Sequence, residues 1–348
     1  MKPFVLLGIS AWAVGLALAA APATQQAVVM HTNGGPEVLK LQSVPVLAPG
    51  AGQVLIRVYA AGVNPVDWKL RSHPGLFGRP VGKPMILGFD IAGIVAGVGA
   101  GVGAFRGGEP VFATLNLGAD TRLNGAYAQF AVVAADRVVA KPATLTFAEA
   151  AGIGVAGLTG MRAVLETHIA AGQQALITGV AGGVGSAAAQ IARSRGAHVL
   201  GTASPRHRAY LQALGVEQVI DYTAGRFEDQ VHDVDVVIDT VGGDTSTRAL
   251  KTLKKGGTYI TVAGAVSAQQ CALAAVVCVE DRAPGAGVPS DGEMLRAVAA
   301  LAAAGKYTVN VDKTFALAQA GAAQAYGEQG HTQGKIILII DSAQALRK

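Results

Sequence analysis

The stretch Ala175–Arg208, ALITGVAGGVGSAAAQIARSRGAHVLGTASPRHR, decides the fold. Ala175 to Thr178 is an apolar strand. Gly182, Gly183 and Gly185 then let the backbone turn sharply and come close to a pyrophosphate without side-chain obstruction. A helix follows, with Val184, Ala188 and Ile191 on its inner face and Arg193 and Arg195 facing out near its C-terminal end, where the helix dipole favours cations. A second strand completes the order strand, glycine turn, helix, strand, the first half of a dinucleotide-binding βαβ unit. The strict fingerprint asks for glycine at i, i+2 and i+5. Here Val180 holds the first place, with Gly182 and Gly185 in the others, so the surrounding order of elements carries much of the reading.

Outward from that stretch, βα alternation continues. Ala209–Leu214 reads as a helix, Gln218–Asp221 as a strand, Asp235–Asp239 as a strand, Thr245–Lys254 as a helix and Gly257–Val262 as a strand. Ala274–Val279 is a sixth strand and Gly292–Ala304 a helix. This alternation predicts a parallel sheet. On the N-terminal side, Gln26–Met30 and Val54–Ala60, then Leu87–Ala113, Gly125–Ala134 and Arg137–Ala140, are short Val/Ile/Leu-rich segments broken by Gly and Pro, the pattern of a small antiparallel barrel. Between them Asn64-Pro65-Val66-Asp67 opens a short helix, with Pro65 suited to its first turn. Helices at Phe147–Ala151 and Gly157–Thr167 lead into the central stretch. Beyond the sheet, Tyr307–Val311, a helix near Leu317–Tyr326 and a strand at Lys335–Ile340 are elements that return to the first domain.

The 348 residues suffice for two domains, and a net charge of +5 with scattered basic residues gives no indication of a nucleic-acid surface. At the N-terminus Lys2 precedes the apolar run Phe4–Ala20 and the small-residue sequence Ala21-Pro22-Ala23, the form of a secretory signal peptide that would leave Thr24 first. An uncleaved membrane anchor and a mis-assigned start codon are the alternatives. Cys271 and Cys278 lie seven residues apart, about 10 Å on a helix and farther on a strand. That separation is beyond disulfide reach unless a turn intervenes, so they read as two buried thiols. No Cys-x-x-Cys or HExxH pattern occurs, and no metal ligands are assigned.

The segments AAGVNPVDWKLR, LGFDIAGIVAGVG, AGLTG, ITGVAGGVGSAAAQIA, QVIDY, VVIDTVGG, LKKGGTYITVAG and GHTQGKIIL together resemble the medium-chain dehydrogenase/reductase superfamily, in its zinc-free quinone oxidoreductase branch. The resemblance implies an α/β protein with a GroES-like β-barrel catalytic domain (24–148 and 306–348) and a Rossmann doubly wound parallel sheet domain (149–305) that binds NADPH, after a leader of residues 1–23. Zinc alcohol dehydrogenases of the superfamily carry a metal-binding Cys in the loop held here by Asn64–Asp67, and Gly-His-Glu where this chain has Gly88-Phe89-Asp90. A zinc-type alcohol dehydrogenase is therefore disfavoured. The expected activity is hydride transfer from NADPH to a quinone or an enone, and the alternative from another class is a non-catalytic, crystallin-like NADPH-binding protein.

Site residues follow from the resemblance. Asn64 and Asp67 stand beside the nicotinamide, Lys69 near the substrate, and Tyr127 and Thr159 in the cleft. Ala181, Gly182, Gly183, Val184 and Gly185 hold the pyrophosphate, and Val241, Ala263 and Lys335 complete the cofactor site. Lys69 stands where many relatives have Tyr, which leaves the proton donor open between a side chain and solvent. NAD enzymes of this fold place an acid about 20 residues past the glycines. Here Ser204, Arg206 and His207 occupy that region, with Tyr222 beside them, a set matched to a 2′-phosphate and hence to NADPH. A homodimer without nucleic-acid partners is implied, with membrane contact only through an uncleaved leader. That leader conflicts with a cytosolic cofactor unless it anchors a cytoplasm-facing enzyme or the cofactor leaves already bound.

Overall fold

The structure, a computed structural model, describes residues 21–73, 75, 84–116, 123–279 and 288–348. The leader expectation falls on residues 1–23, of which 1–20 lie outside the described residues.

The N-terminal half is built of β1 (Thr24–Met30), β2 (Lys40–Pro45), β3 (Gln53–Val63), α1 (Pro65–Ser72), β4 (Met85–Ile86), β5 (Asp90–Val98), β6 (Pro110–Thr114), β7 (Phe130–Ala134) and β8 (Val138–Ala140). After α2 (Phe147–Ala151) and α3 (Gly154–Glu166), the chain alternates through β9 (Gln174–Thr178), α4 (Gly183–Ser194), β10 (His198–Ala203), α5 (Arg208–Ala213) and β11 (Gln218–Asp221). It continues with β12 (Val234–Asp239), α6 (Asp244–Leu250), β13 (Leu253–Thr261), α7 (Ala268–Leu273), β14 (Val277–Val279) and α8 (Asp291–Ala303). The last elements are β15 (Val311–Ala316), α9 (Ala320–Glu328) and β16 (Lys335–Ile339).

The six central strands form one parallel sheet in the order β11-β10-β9-β12-β13-β14. Both faces are covered, which is why the strands read as continuous apolar runs. In β9, Ala175 and Ile177 pack into the core under α4 with Ala188 and Ile191, while Leu176 packs on the opposite side with Val237 and Tyr259. Barrel strands form the order β15-β16-β3-β5-β6-β8, with β7 also on β3, and a separate sheet β2-β1-β4 lies beside them. The return of the C-terminus is explicit: β16 pairs antiparallel with β3, Ile336 opposite Val63 and Ile339 opposite Ala60.

The structure corrects one sequence expectation. Cys271 and Cys278 form a disulfide, with Cα atoms 6.0 Å apart. The intervening turn is real: Ala275 takes φ 55°, the chain reverses after α7, and the Val276 amide donates to the Cys271 carbonyl. Non-glycine residues rarely adopt this left-handed conformation, so a run of alanines gives no sign of it. The same reversal shortens the sixth strand to Val277–Val279. A smaller difference is that α3 starts at Gly154 rather than Gly157, because its first turn is anchored on a buried carboxylate described below.

Candidate active site

Most of the segments expected to bind cofactor arrive at the C-terminal ends of the parallel strands; Thr159 lies on α3 and Lys335 opens barrel strand β16. Ala181–Gly185 follows β9, Ser204–His207 follows β10, Tyr222 follows β11, Val241 follows β12 and Ala263 follows β13. In an open α/β sheet ligands bind there, at the point where strand order reverses, which here lies between β9 and β12. The glycine turn explains its departure from the strict fingerprint. Gly179 supplies the left-handed conformation, at φ +60°. Val180 is then free to be a core residue, fully buried over Gly201, where any Cβ would fall 2.4 Å from Val180 Cγ1. The first-turn amides of α4, which a helix leaves without carbonyl partners, open on the crevice. A Cβ at Gly182 would meet only the Gly179 carbonyl at 3.5 Å, while one at Gly183 would lie 2.8 Å from Lys335 Cδ, so this is a cradle sized for backbone approach. These residues fit the pyrophosphate of a nicotinamide dinucleotide.

Two features of the crevice carry no local sequence signal. Buried Asp239, at the end of β12, accepts from Thr178 Oγ1 (2.5 Å), the Val241 and Gly242 amides, Ser246 Oγ and Tyr259 Oη, tying the two strands of the switch point to the loop bearing Val241. Burial pushes its carboxyl up, but these hydrogen bonds outweigh burial and leave it below the usual range. The second feature is the segment His331–Lys335, which crosses from the barrel to the glycine turn. Gly334 donates its amide to the Ala181 carbonyl at 2.8 Å. Arg206 donates to the His331 carbonyl (2.6 Å) and to His207 Nε2, and His207 Nδ1 meets Gln333 Oε1. Among the described residues two of the five N–H groups of Arg206 are thus engaged, which leaves three for another partner.

On the barrel side the α1 loop is buried. Asn64 and Asp67 are 2% and 0% exposed. Asp67 Oδ2 accepts the Asn64 amide (2.8 Å) and the hydroxyl of fully buried Tyr127 (2.8 Å). Neither Lys69 nor Arg71 pairs with Asp67: Arg71 bonds Gln324 and Glu328 on α9, and Lys69 lies on the exposed side of α1. The Asn64 side chain donates from Nδ2 to Asp90 Oδ2 (2.8 Å) and accepts from Lys335 Nζ. Asp90 Oδ1 in turn accepts the Val155 amide in the first turn of α3 (2.7 Å) and Thr114 Oγ1. Gly154 makes room for this, since a Cβ there would lie 2.0 Å from Asp90 Oδ1. Thr159 is half-buried further along α3.

Burial raises the Asp67 carboxyl from its ordinary 3.8 to about 7, against the hydrogen bonds from Asn64 and Tyr127. Its Oδ1 finds no partner among the described residues, so no donor there stabilises the charged form. A carboxyl raised on folding gives stability that is present below its unfolded value and lost as pH rises through its folded value. Stability should therefore fall as pH rises from 3.8 to about 7, losing at most about 1.4 kcal/mol for each pH unit crossed. Asp67→Asn is expected to flatten that part of the profile. Denaturant midpoints measured across the window check this, and an unchanged slope in the variant rejects it.

A cofactor crevice on a parallel sheet, joined to a barrel that the C-terminal strand completes, defines a two-domain oxidoreductase of the Rossmann and GroES-like kind. Residues 50–143 match the family described as alcohol dehydrogenase GroES-like domain, and residues 214–338 the family described as zinc-binding dehydrogenase. The chain is 37% identical over 248 residues to a quinone oxidoreductase of Mus musculus, covering 68% of this chain and 72% of that protein. It is 31% identical over 332 residues to the chloroplastic NADPH-dependent alkenal/one oxidoreductase of Arabidopsis thaliana, covering 92% and 81%. The solved quinone oxidoreductase of Coxiella burnetii superposes with a TM-score of 0.81 at 30% identity, over 91% of this chain and 99% of that one. The chain belongs to the medium-chain dehydrogenase/reductase superfamily, among its quinone oxidoreductases. Among the described residues no group of three or more His, Cys, Asp or Glu could hold a metal.

Proposed function

We propose that the protein is an NADPH-dependent reductase that delivers hydride to a quinone or to the β-carbon of an α,β-unsaturated carbonyl, without catalytic zinc. The observation that carries the reading is the α1 loop. In a chain related to quinone and alkenal/one oxidoreductases, the loop Asn64–Asp67, where zinc relatives carry a metal-binding Cys, has no Cys, and its Asn64 amide is already held between Lys335 and Asp90. An amide bonded to an ion-paired Asp90 is a poor donor set for zinc. NADPH, when bound, supplies the hydride. The amides of α4 hold its pyrophosphate, and Ser204, Arg206 and His207 take the 2′-phosphate with Tyr222 alongside. Val241, Ala263 and Thr159 flank the nicotinamide end. Reduction of an enone leaves an enolate oxygen, which exposed Lys69 stabilises from the edge of the cleft while solvent protonates the α-carbon.

Turnover of a panel of quinones and enones tests the reading, with oxidation of NADPH expected to exceed that of NADH at equal concentration. Arg206→Glu should reverse the preference, by about tenfold or more, since it removes a cation and opposes the 2′-phosphate. Equal use of NADH by the wild type rejects the cofactor assignment. No turnover on any acceptor, with NADPH still bound, rejects the reductase.

We further propose domain limits of 24–148 with 306–348 for the barrel and 149–305 for the cofactor domain, and a homodimer formed through the outer edge of β14, where Leu273 and Val277 are exposed. Export is proposed from the leader-like segment together with the Cys271–Cys278 disulfide, a bond that persists in oxidising compartments. N-terminal sequencing of the purified protein should begin at Thr24. Recovery of intact Met1 from a cytosolic fraction, with both thiols free to alkylate, rejects export.

A further inference from the structure

Lys335 opens β16 and is 5% exposed, so its ammonium has no access to bulk solvent. Its stem runs through a channel left by two glycines from different elements. A Cβ at Gly152 would lie 3.3 Å from Lys335 Cγ, and one at Gly183, in the glycine turn, 2.8 Å from Cδ. The ammonium is thereby carried past the turn into the barrel, where it donates to Asn64 Oδ1 and the Val63 carbonyl (3.3 Å) and stands 3.6 Å from Asp90 Oδ2.

This arrangement fixes the orientation of the Asn64 amide. Its oxygen meets a cation, and its nitrogen meets a carboxylate at 2.8 Å. The flipped amide would set NH₂ against the ammonium and oxygen against Asp90, so only one orientation is stable. Asp90 passes the constraint to the first turn of α3 through the Val155 amide. One side chain therefore connects the glycine turn, the α1 loop and α3, which belong to opposite walls of the crevice.

We propose that Lys335 is a positioning residue for hydride transfer: it sets the Asn64 amide and holds the α1 loop in register with the glycine turn, so that the acceptor wall and the cofactor wall keep a fixed separation. The proposal rests on the reductase reading and on NADPH binding. Hydride transfer is sensitive to displacements near 1 Å, which can cost about 100-fold in rate. A phosphate clamp or a purely structural lysine predicts other patterns.

The test uses the full chain with Lys335→Met and the double variant Lys335→Met/Asp90→Asn, which removes the carboxylate left unpaired by the first change. Four quantities are read: thermal midpoint, NADPH Kd by fluorescence titration, kcat at saturation, and the emission maximum of bound NADPH. The proposal expects the midpoint to fall in the single variant and recover at least half its loss in the double. It expects NADPH Kd to stay within about threefold of wild type, while kcat falls about 100-fold in both and the emission shifts in both. Recovery of kcat in step with the midpoint makes Lys335 structural only and overturns the proposal. A large rise in NADPH Kd with kcat retained at saturation makes it a phosphate clamp and overturns it equally. Should the wild type turn over no acceptor, the reductase reading and with it the role in hydride transfer fail, and the emission of bound NADPH decides whether Lys335 sets the spacing of the two walls: shifted in both variants, that spacing role stands; unchanged, it falls.

Discussion

Gly185→Val is expected to weaken binding of the nicotinamide cofactor by about 100-fold or more. A Cβ at this position would lie 2.5 Å from the Gly179 carbonyl oxygen and 2.7 Å from Val180 Cα, both backbone atoms of the turn. Neither can yield, because Val180 is wedged over Gly201 and Gly179 already spans the left-handed conformation that starts the turn. The strain moves instead into α4, whose N-terminal amides back away from the crevice. Those amides act at hydrogen-bond distance, so a shift near 1 Å removes most of their attraction for phosphate. A loss of about 3 kcal/mol corresponds to a Kd more than 100-fold higher. Gly182→Ala is the control, since its Cβ would meet the Gly179 carbonyl at an ordinary 3.5 Å and the residue already has a φ of −73° that alanine adopts freely. It should fold normally and weaken binding by about tenfold, through the methyl group placed in the cradle. Fluorescence titration of NADPH checks both, and a Gly185→Val Kd within fivefold of wild type rejects the close-approach argument.

The second large effect is expected at Asp239. Its two oxygens satisfy five donors, at 2.5 Å from Thr178, 3.0 and 3.1 Å from the Val241 and Gly242 amides, 2.6 Å from Ser246 and 2.8 Å from Tyr259. Asp239→Ala leaves these donors buried without an acceptor, and each orphaned group costs on the order of 1 kcal/mol or more. Partial relaxation brings the sum to about 4 kcal/mol, a fall of roughly 8 °C in the thermal midpoint of a chain this long. The loop Thr240–Gly243 also loses its anchor, so NADPH affinity should fall together with stability. The sign with pH differs from that of Asp67. A carboxyl held below its usual range contributes stability above its unfolded value that is lost as pH falls through its folded value, so the variant should be less sensitive to acid than wild type. Calorimetry at pH 7 and at a pH below the ordinary 3.8 measures this. A variant whose midpoint stays within 2 °C of wild type at pH 7 shows that the network contributes little.

The fold is legible in the sequence because its signals are local. Buried parallel strands appear as apolar runs, and Gly179–Gly185 announces the βα turn. Most of the segments proposed to bind cofactor are legible for a related reason, since they follow strands of the same sheet. What escapes the sequence is conformational or long-range. The reversal that brings Cys271 to Cys278 turns on Ala275, a residue type that carries no turn signal. The start of α3 is set by Asp90, which lies 65 residues before Val155. In the sequence Asp90 stands out only as a position where a zinc ligand is missing, whereas folding makes it the hub of four elements, α1, β6, α3 and β16. Asn64 is readable as the opening of a helix, but its side chain answers to Lys335, and no periodicity links those two positions.

That pairing constrains how the chain is made. Asn64 leaves the ribosome 271 residues before the lysine that orients it, and β3 waits equally long for β16. The whole cofactor domain is synthesised in the interval, so it can fold as a self-contained insert while the barrel around it stays open along one strand. An unfinished barrel exposes the β3 edge during that time, the kind of surface that chaperones shield and that neighbouring nascent chains can capture. The parallel sheet is therefore complete early, whereas the segment His331–Lys335 that crosses to the glycine turn and the strand that closes the barrel are made last.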